Sequence, residues 1–276
     1  MSSMQEAQHA IQQDLWLETS DGRVFARVWT PAVAMHEGPQ SPIVLFHDSL
    51  GCVELWRGFP ARLSASTGRK VIAYDRLGFG RSDPRRERPT FAFIAEEAER
   101  HFPAVREQLA IRRFVAFGHS VGGSMAVHCA NRFADACDAL ITESAQAFVE
   151  DRTIAGLLEA KALFGQAEQF ARLGKYHGDK ARWVLDAWLD TWLSPDFAAW
   201  SLAPVLPGVG CPLLAIHGLD DEYGSPRPPQ LIAQLAGGPS RAEVLADTRH
   251  VPHREREQAV VELVAGFLRA ERQAGR

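Results

Sequence analysis

The stretch that decides the fold is RFVAFGHSVGG, residues 113–123. Its first half, 113–117, is a short apolar run typical of a buried strand, and the small-residue segment 121–133 favours a helix. Between them, GHSVG at 118–122 matches the pattern G-x-S-x-G. A serine on a sharp turn between a strand and a helix has an exposed hydroxyl, so we predict that Ser120 is a nucleophile.

The residues around Ser120 suit that chemistry. Glycines at 118 and 122 leave room for a strained turn and for a close approach of strand and helix. The helix N-terminus behind the serine offers backbone N–H groups and a positive dipole end to a developing oxyanion. A glycine turn that is purely structural is the alternative interpretation.

Short apolar runs and helical segments alternate on either side of this motif, which predicts an α/β fold with a mostly parallel, eight-stranded sheet flanked by helices. The first two strands are expected to form an antiparallel hairpin. Strands are predicted at 13–18, 23–29, 42–46, 70–74, 113–117, 138–142, 212–216 and 241–246, and helices at 55–67, 91–110, 121–133 and 254–272.

Four further segments make the chain resemble the α/β-hydrolase superfamily, and they occur in that family's order. FHDSLG at 46–51 is similar to its H-G-x-x-G loop, and DRLGFGRS at 75–82 to its D-x-x-G-x-G-x-S turn. HGLDD at 217–221 is similar to its H-G-x-x-D segment, and RHVP at 249–252 to its G-H-x-P loop. The resemblance spans roughly residues 20–270, apart from an insertion.

The resemblance implies a role for five residues. Ser120 would be the nucleophile, His250 the general base and Asp221 the acid that orients His250. The backbone N–H groups of Ser49 and Val121 would form the oxyanion hole. The implied activity is hydrolysis of a carboxylic ester, lactone or thioester of a small, largely apolar substrate through an acyl-enzyme, as in small bacterial esterases and lactonases.

Three other residues compete for these roles. Glu143 follows the strand at 138–142, where some superfamily members place the acid, and Asp220 adjoins Asp221. His253 is a weak rival to His250, because a histidine at a helix start is more often on the surface. His177 is also expected on the surface.

Two positions depart from the family pattern. Asp48 stands where the family usually has glycine, and we expect its carboxylate to point away from the oxyanion, since it would oppose the negative charge there. Arg249 replaces a glycine before His250. It is either a solvent-facing side chain or a partner for a carboxylate of the substrate or the protein.

The segment 145–205 has no strand candidate and is rich in aromatic residues. We predict a helical cap there, inserted into a hydrolase core formed by 1–144 and 206–276. Trp183, Trp188 and Trp192 are candidate substrate-binding residues. They either line an apolar pocket above Ser120 or pack the cap's own core.

The composition excludes several other classes. The net charge of −4 and pI near 6.2 give no basic surplus for nucleic acid. No apolar run is long enough for a membrane span, and no secretory leader is visible, so a cytoplasmic protein is expected. No metal-ligand spacing or dinucleotide motif appears, so no metal and no cofactor are expected. The four scattered cysteines are expected to be buried thiols.

The partner is therefore expected to be a small ester-like molecule, and a homo-oligomer is possible. Three other reactions could use the same residues: C–C bond hydrolysis, amide or aminopeptidase-type hydrolysis, and perhydrolysis. A non-enzyme alternative is a ligand-binding receptor built on the same fold.

Overall fold

The computed structural model describes residues 10–33 and 40–274. An eight-stranded sheet runs through the described chain. The strands are β1 Ile11–Thr19, β2 Gly22–Thr30, β3 Ile43–Phe46, β4 Val71–Tyr74, β5 Phe114–His119, β6 Cys137–Glu143, β7 Leu213–Gly218 and β8 Ser240–Leu245. Each predicted strand overlaps one of these.

The strand order is β1-β2-β4-β3-β5-β6-β7-β8. β1 and β2 form an antiparallel hairpin, β2 pairs antiparallel with β4, and all the other pairs are parallel. The predicted α/β fold with a mostly parallel sheet is therefore confirmed. Because the parallel strands end at one edge of the sheet, the loops after β3, β5, β7 and β8 gather there.

Helices cover both faces of the sheet. They are α1 Phe59–Thr67, α2 Phe93–Glu96, α3 Phe102–Gln108, α4 Val121–Arg132, α5 Asp151–Phe164, α6 Ala167–His177, α7 Ala181–Trp192, α8 Arg227–Leu235, α9 Pro252–Glu255 and α10 Glu257–Ala274. On one face the core includes residues of α3, α4 and α8, and on the other face residues of α1 and α10.

The position of β5 inside the sheet explains why residues 114–117 are all apolar. Phe114 and Ala116 belong to the core on the α4 side, whereas Val115 and Phe117 belong to the core on the α1 and α10 side. All four are fully buried. A strand that is covered on both faces cannot alternate between polar and apolar residues, and this is why the apolar run at 114–117 is continuous.

Two predicted helices are interrupted. The segment 91–110 contains α2, a π-helical turn at Glu97–His101 and α3. Pro103 has no N–H to donate to the carbonyl of Glu99, which breaks the regular ladder at this point. The predicted helix 254–272 is divided into α9 and α10 at Arg256, whose backbone leaves the helical region (φ −133°, ψ 45°).

The segment between β6 and β7 contains α5, α6 and α7 and no strand. Its two ends meet at an antiparallel bridge between Phe148 and Ser201, and Leu202 N donates to Ala147 O at 2.8 Å. The division of the chain into a core and a cap at 145–205 stays a prediction. A search of the described residues finds no helix that combines the length and the apolar character needed to cross a membrane.

The turn after β4 is held by the carboxylate of Asp75, and Gly80 lies against that carboxylate. Gly80 has φ +47°, and a Cβ there would lie 2.1 Å from Oδ2 of Asp75. That carboxylate cannot move freely, because it accepts hydrogen bonds from Val53 N (2.6 Å) and Arg81 N (2.7 Å). Gly80→Ala should lower the free energy of unfolding in urea by about 2–3 kcal/mol.

The control is Gly174→Ala in helix α6, where a Cβ meets nothing within 4 Å. Alanine is favoured over glycine inside a helix, so this variant should be stabilised by up to about 1 kcal/mol. Equal stabilities of the two variants would contradict the proposed role of the Asp75 turn.

Candidate active site

Ser120 lies on the sharp turn between β5 and α4. Its backbone has φ 55° and ψ −128°, a strained conformation for a residue with a side chain. The turn is held because Ser120 N donates to Glu143 O at 2.8 Å. A Cβ on Gly122 would lie 2.1 Å from Phe46 O, and a Cβ on Gly118 would lie 2.1 Å from Gly122 O. Both motif glycines are therefore required by close backbone contacts.

His250 and Asp221 lie next to Ser120, although they come from the loops after β8 and β7. His250 Nε2 is 3.1 Å from Ser120 Oγ, and its Nδ1 is 2.8 and 2.9 Å from the two carboxylate oxygens of Asp221. The two loops approach closely because Gly218 has no side chain: a Cβ there would lie 2.1 Å from Arg249 O. The structure thus brings all three predicted residues together.

The charges of this trio stabilise one another. Burial favours neutral His250, but the charge and hydrogen bond of Asp221 outweigh it and raise the pKa of His250 above its ordinary value. Burial alone would raise the pKa of Asp221, but His250 holds it below the ordinary value. Asp221 therefore stays ionised and fixes the proton of neutral His250 on Nδ1, leaving Nε2 free to accept a proton from Ser120.

Ser49 and Val121, the two residues predicted to form the oxyanion hole, both lie near Ser120. Val121 is the first residue of α4, so its N–H has no acceptor within the helix. Ser49 follows β3 and borders the same cavity as Ser120. Asp48 borders this cavity too, and its Oδ1 lies against Gly51, where a Cβ would be only 1.9 Å away.

The rival residues Glu143 and His253 pair with each other rather than with the trio. Glu143 Oε2 is 2.5 Å from His253 Nδ1, and both side chains are buried. The expectation that His253 is a surface residue is therefore wrong, because α9 packs it against Trp56. Burial raises the pKa of Glu143 to about 7 and lowers that of His253 to about 3, so the pair favours its neutral forms.

His119 completes this second cluster and connects it to the first. Its Nε2 is 2.8 Å from His250 O. The ligand atoms of His119, Glu143 and His253 lie within 4.8 Å of one another, which is the spacing of a metal site. Their chemistry does not suit one in this arrangement, because the direct contact between Glu143 and His253 occupies the space between them.

Arg249 both faces the solvent and pairs with a carboxylate of the protein. Its side chain is 65% exposed, and its Nη2 donates to Glu222 Oε1 at 3.2 Å. Glu222 Oε2 also accepts from His250 N at 3.3 Å, so this carboxylate links Arg249 to the base loop. The sequence did not point to Glu222, because an acidic residue beside Asp221 carries no motif of its own.

A cavity of about 700 Å³, including its part open to solvent, lies above Ser120 and His250. Trp188 and Trp192 line it, together with two residues that the sequence did not indicate, Gln146 and Tyr223. Gln146 Oε1 is 3.5 Å from Ser120 Oγ, and the ring of Tyr223 packs against His250 at 4.7 Å between centroids. Only their position in space, after β6 and β7, reveals them.

The three predicted tryptophans have different surroundings. Trp192 lines the cavity and also packs the core under helix α7, where its ring is 5.2 Å from Phe197. Trp188 lines the cavity and contacts Tyr223. Trp183 does not border Ser120: it packs on Phe79 and lines a neighbouring chamber. Helix α7 therefore combines the two interpretations of these tryptophans, because some of them line the cavity and Trp192 also packs the core.

The segment 145–205 braces the loops of the site. His177 of α6 is 3.0 Å from Leu50 O through Nε2 and accepts from Gly80 N at 2.9 Å through Nδ1. It is buried, so the expectation of a surface histidine is wrong. Arg152 and Thr153 of α5 donate to the backbone oxygens of Asp221 and Tyr223.

Comparison with known proteins agrees with this architecture. A family model described as the alpha/beta hydrolase fold matches residues 41–173. A bacterial membrane phospholipase A has a similar structure, with a TM-score of 0.74 at 17% identity over 95% of this chain and 87% of that one. The enol-lactonase of Burkholderia xenovorans LB400 has a TM-score of 0.69 at 22% identity over 92% of this chain and 99% of its own. This chain has the α/β-hydrolase fold.

Among curated sequences, a (lyso)-N-acylphosphatidylethanolamine lipase of Bos taurus is 34% identical to this α/β-hydrolase-fold protein over 119 residues. That match takes in 42% of this chain and 33% of the lipase. The chain thus spans about a third of the length of this curated relative, so the likeness supports the fold more than a particular activity.

The pairing of His250 with Asp221 predicts how this α/β-hydrolase-fold protein responds to loss of either candidate acid. Asp221→Asn should reduce hydrolase activity by about 10³–10⁴-fold, because the amide no longer fixes the imidazole tautomer. Glu143→Gln should reduce kcat/KM by less than about tenfold, because Glu143 contacts His253 and not His250. A larger loss in Glu143→Gln than in Asp221→Asn would reverse the assignment.

The raised pKa of His250 predicts the acid limb of the pH profile. His250 must be neutral to accept a proton, so kcat/KM should fall as the pH drops through an inflection above 6.5, the ordinary value of a histidine. Removing the Asp221 charge takes away the strongest effect that opposes burial, so the residual activity of Asp221→Asn should have its inflection at lower pH.

Glu222→Gln is the matched control, since the Glu222 charge raises the pKa of His250 less than Asp221 does. It should move the inflection in the same direction by a smaller amount. An inflection that stays in place in both variants would show that another group titrates.

Proposed function

We propose that this protein is a serine hydrolase that cleaves a carboxylic ester, lactone or thioester through an acyl-enzyme. One observation carries the proposal. Ser120 Oγ, the imidazole of His250 and the carboxylate of Asp221 form a continuous line of contacts at 3.1 and 2.8 Å. This is the arrangement that activates a serine hydroxyl as a nucleophile.

In the proposed reaction Ser120 Oγ attacks the carbonyl carbon, and its proton passes to His250 Nε2. The backbone N–H groups of Ser49 and Val121 stabilise the negative oxygen of the tetrahedral intermediate. His250 then gives the proton to the leaving oxygen or sulfur, and an ester between the acyl group and Ser120 remains. A water molecule that gives up a proton to His250 hydrolyses this ester and restores Ser120.

The apolar walls of the cavity and the names of three similar proteins support an ester or a lactone as the substrate. Trp188, Trp192 and Leu157 give the cavity apolar walls, which favour an apolar acyl or alcohol group. Three of the similar proteins are named as a phospholipase, a lactonase and a lipase.

Labelling with a fluorophosphonate probe tests the proposal. Wild-type protein should gain the mass of one probe on Ser120 and should hydrolyse p-nitrophenyl esters in a series from acetate to octanoate. Ser120→Ala should do neither, since only an activated serine reacts with the probe. Intact mass and release of p-nitrophenol are the two measurements.

Ser144→Ala is the control, because Ser144 is a buried serine near the site whose hydroxyl has no hydrogen-bond partner among the described residues. It should label and turn over as the wild type does. Wild-type protein that binds esters without labelling or turnover would refute the enzyme and favour the receptor alternative.

A further inference from the structure

A second chamber lies beside the cavity above Ser120. It shares Ser49, Trp188 and Trp192 with that cavity and also borders Val121. From there it extends between helix α7 and the segment 76–101, with a volume of about 530 Å³ including its part open to solvent. Its walls are largely apolar, formed by Leu77, Phe79, Phe93, Met125, Trp183 and Ala187. The chamber is therefore adjacent to the cavity at Ser120.

Two buried, oppositely charged residues face this chamber. Arg76 is 9% exposed and Glu97 is 2% exposed. In the described part of the chain Arg76 has no acidic side chain within the 4.0 Å of an ion pair, so the two charges interact only across a gap. A cation and an anion in an apolar chamber are costly when neither is fully compensated.

The protein satisfies these two groups only in part. Arg76 Nη2 donates to Asp48 O at 2.7 Å and Nε donates to His47 Nε2 at 3.2 Å, but Nη1 has only the sulfur of Met125 as an acceptor, at 2.9 Å. Glu97 Oε1 accepts from the hydroxyl of Tyr74. Glu97 Oε2 accepts no hydrogen bond from any described residue. Each group therefore keeps hydrogen-bonding capacity for a ligand.

The other charged groups of the chamber do not pair with Arg76 or Glu97. Arg85 Nη2 is 3.8 Å from Glu96 Oε2, so these two residues balance each other. His101 is half-buried at the chamber wall. The chamber thus has no large excess of either charge, and neither a purely anionic nor a purely cationic ligand group is favoured by it.

We propose that this chamber is a specificity site for a substrate arm that ends in a neutral group with both a donor and an acceptor, a hydroxyl or a carboxamide. Such a group accepts a hydrogen bond from Arg76 and donates one to Glu97. A carboxylate would be repelled by Glu97, and an ammonium group by Arg76. This inference rests on the proposed function, because the arm belongs to an ester attacked by Ser120.

Matched esters test the proposal in the wild-type protein. p-Nitrophenyl esters of ω-hydroxy acids with four to eight carbons are compared with methyl-ended esters of the same number of heavy atoms, and ω-hydroxyalkyl acetates are compared with alkyl acetates. At one chain length in one of the two series, kcat/KM should be higher for the hydroxyl-bearing ester. A preference for the methyl-ended ester at every length in both series would overturn the proposal, since a purely apolar chamber rejects a hydroxyl.

Glu97→Gln then identifies the group responsible. The amide retains the size of Glu97 but loses its charge, so the preferred hydroxy ester should lose about ten- to a hundredfold in kcat/KM while its methyl-ended partner changes less than about twofold. Glu99→Gln, an exposed position two residues further on, is the control and should leave both values unchanged. An unchanged ratio in Glu97→Gln would contradict the assignment, and if this variant does not fold, the wild-type comparison decides.

Failure of the proposed function gives a different pattern. A wild-type protein that neither labels at Ser120 nor hydrolyses any ester refutes the hydrolase. In that case calorimetry still measures whether a terminal hydroxyl is preferred. The affinities of the same ester pairs are determined for the wild type and for Glu97→Gln. If the wild type binds the hydroxy ester more tightly than its methyl-ended partner and Glu97→Gln does not, the chamber's specificity is supported. Equal binding of the two esters to the wild type refutes it.

Discussion

The close approach of strand β5 and helix α4 at Ser120 is the constraint on which the rest of the site depends. Gly118 and Gly122 allow the backbone of this turn to pack against itself and against the end of β3. The bond from Ser120 N to Glu143 O fixes the same turn to β6. The loops after three neighbouring strands are therefore positioned by one tightly packed point, and small side chains there are a steric necessity.

The positions of His250 and Asp221 depend on a second close backbone contact and on the segment between β6 and β7. Gly218 lets the acid loop touch the base loop, and α5 binds the carbonyl of Asp221 through Arg152. His177 of α6 holds Leu50 O in the loop that contains Ser49. This segment therefore does more than cover the cavity, because it fixes the backbone on both sides of Ser120.

Chemically similar residues acquire different roles through their surroundings. Asp221 and Glu143 are both buried acids near a histidine, but Asp221 is held ionised by His250 and accepts backbone N–H groups, whereas burial raises the pKa of Glu143 to about 7. Glu97 is a third buried acid, and it faces an apolar chamber beside Arg76. Three buried acids near one site thus differ in their surroundings: one contacts His250, one contacts His253 and one faces the second chamber.

Sequence alone predicts the sheet, the sharp turn at Ser120 and the meeting of Ser120, His250 and Asp221. Strand periodicity and glycine spacing are local properties, and motif order fixes which strand ends share an edge. It did not reveal the pairing of Glu143 with His253, the burial of His177, the placement of Gln146 and Tyr223, or the opposed charges of Arg76 and Glu97. These depend on contacts between residues far apart in the chain, often about a hundred positions, as for His177 with Gly80 and Glu143 with His253. Only the packing of the tertiary structure brings such residues together and decides which charges are buried and which are paired.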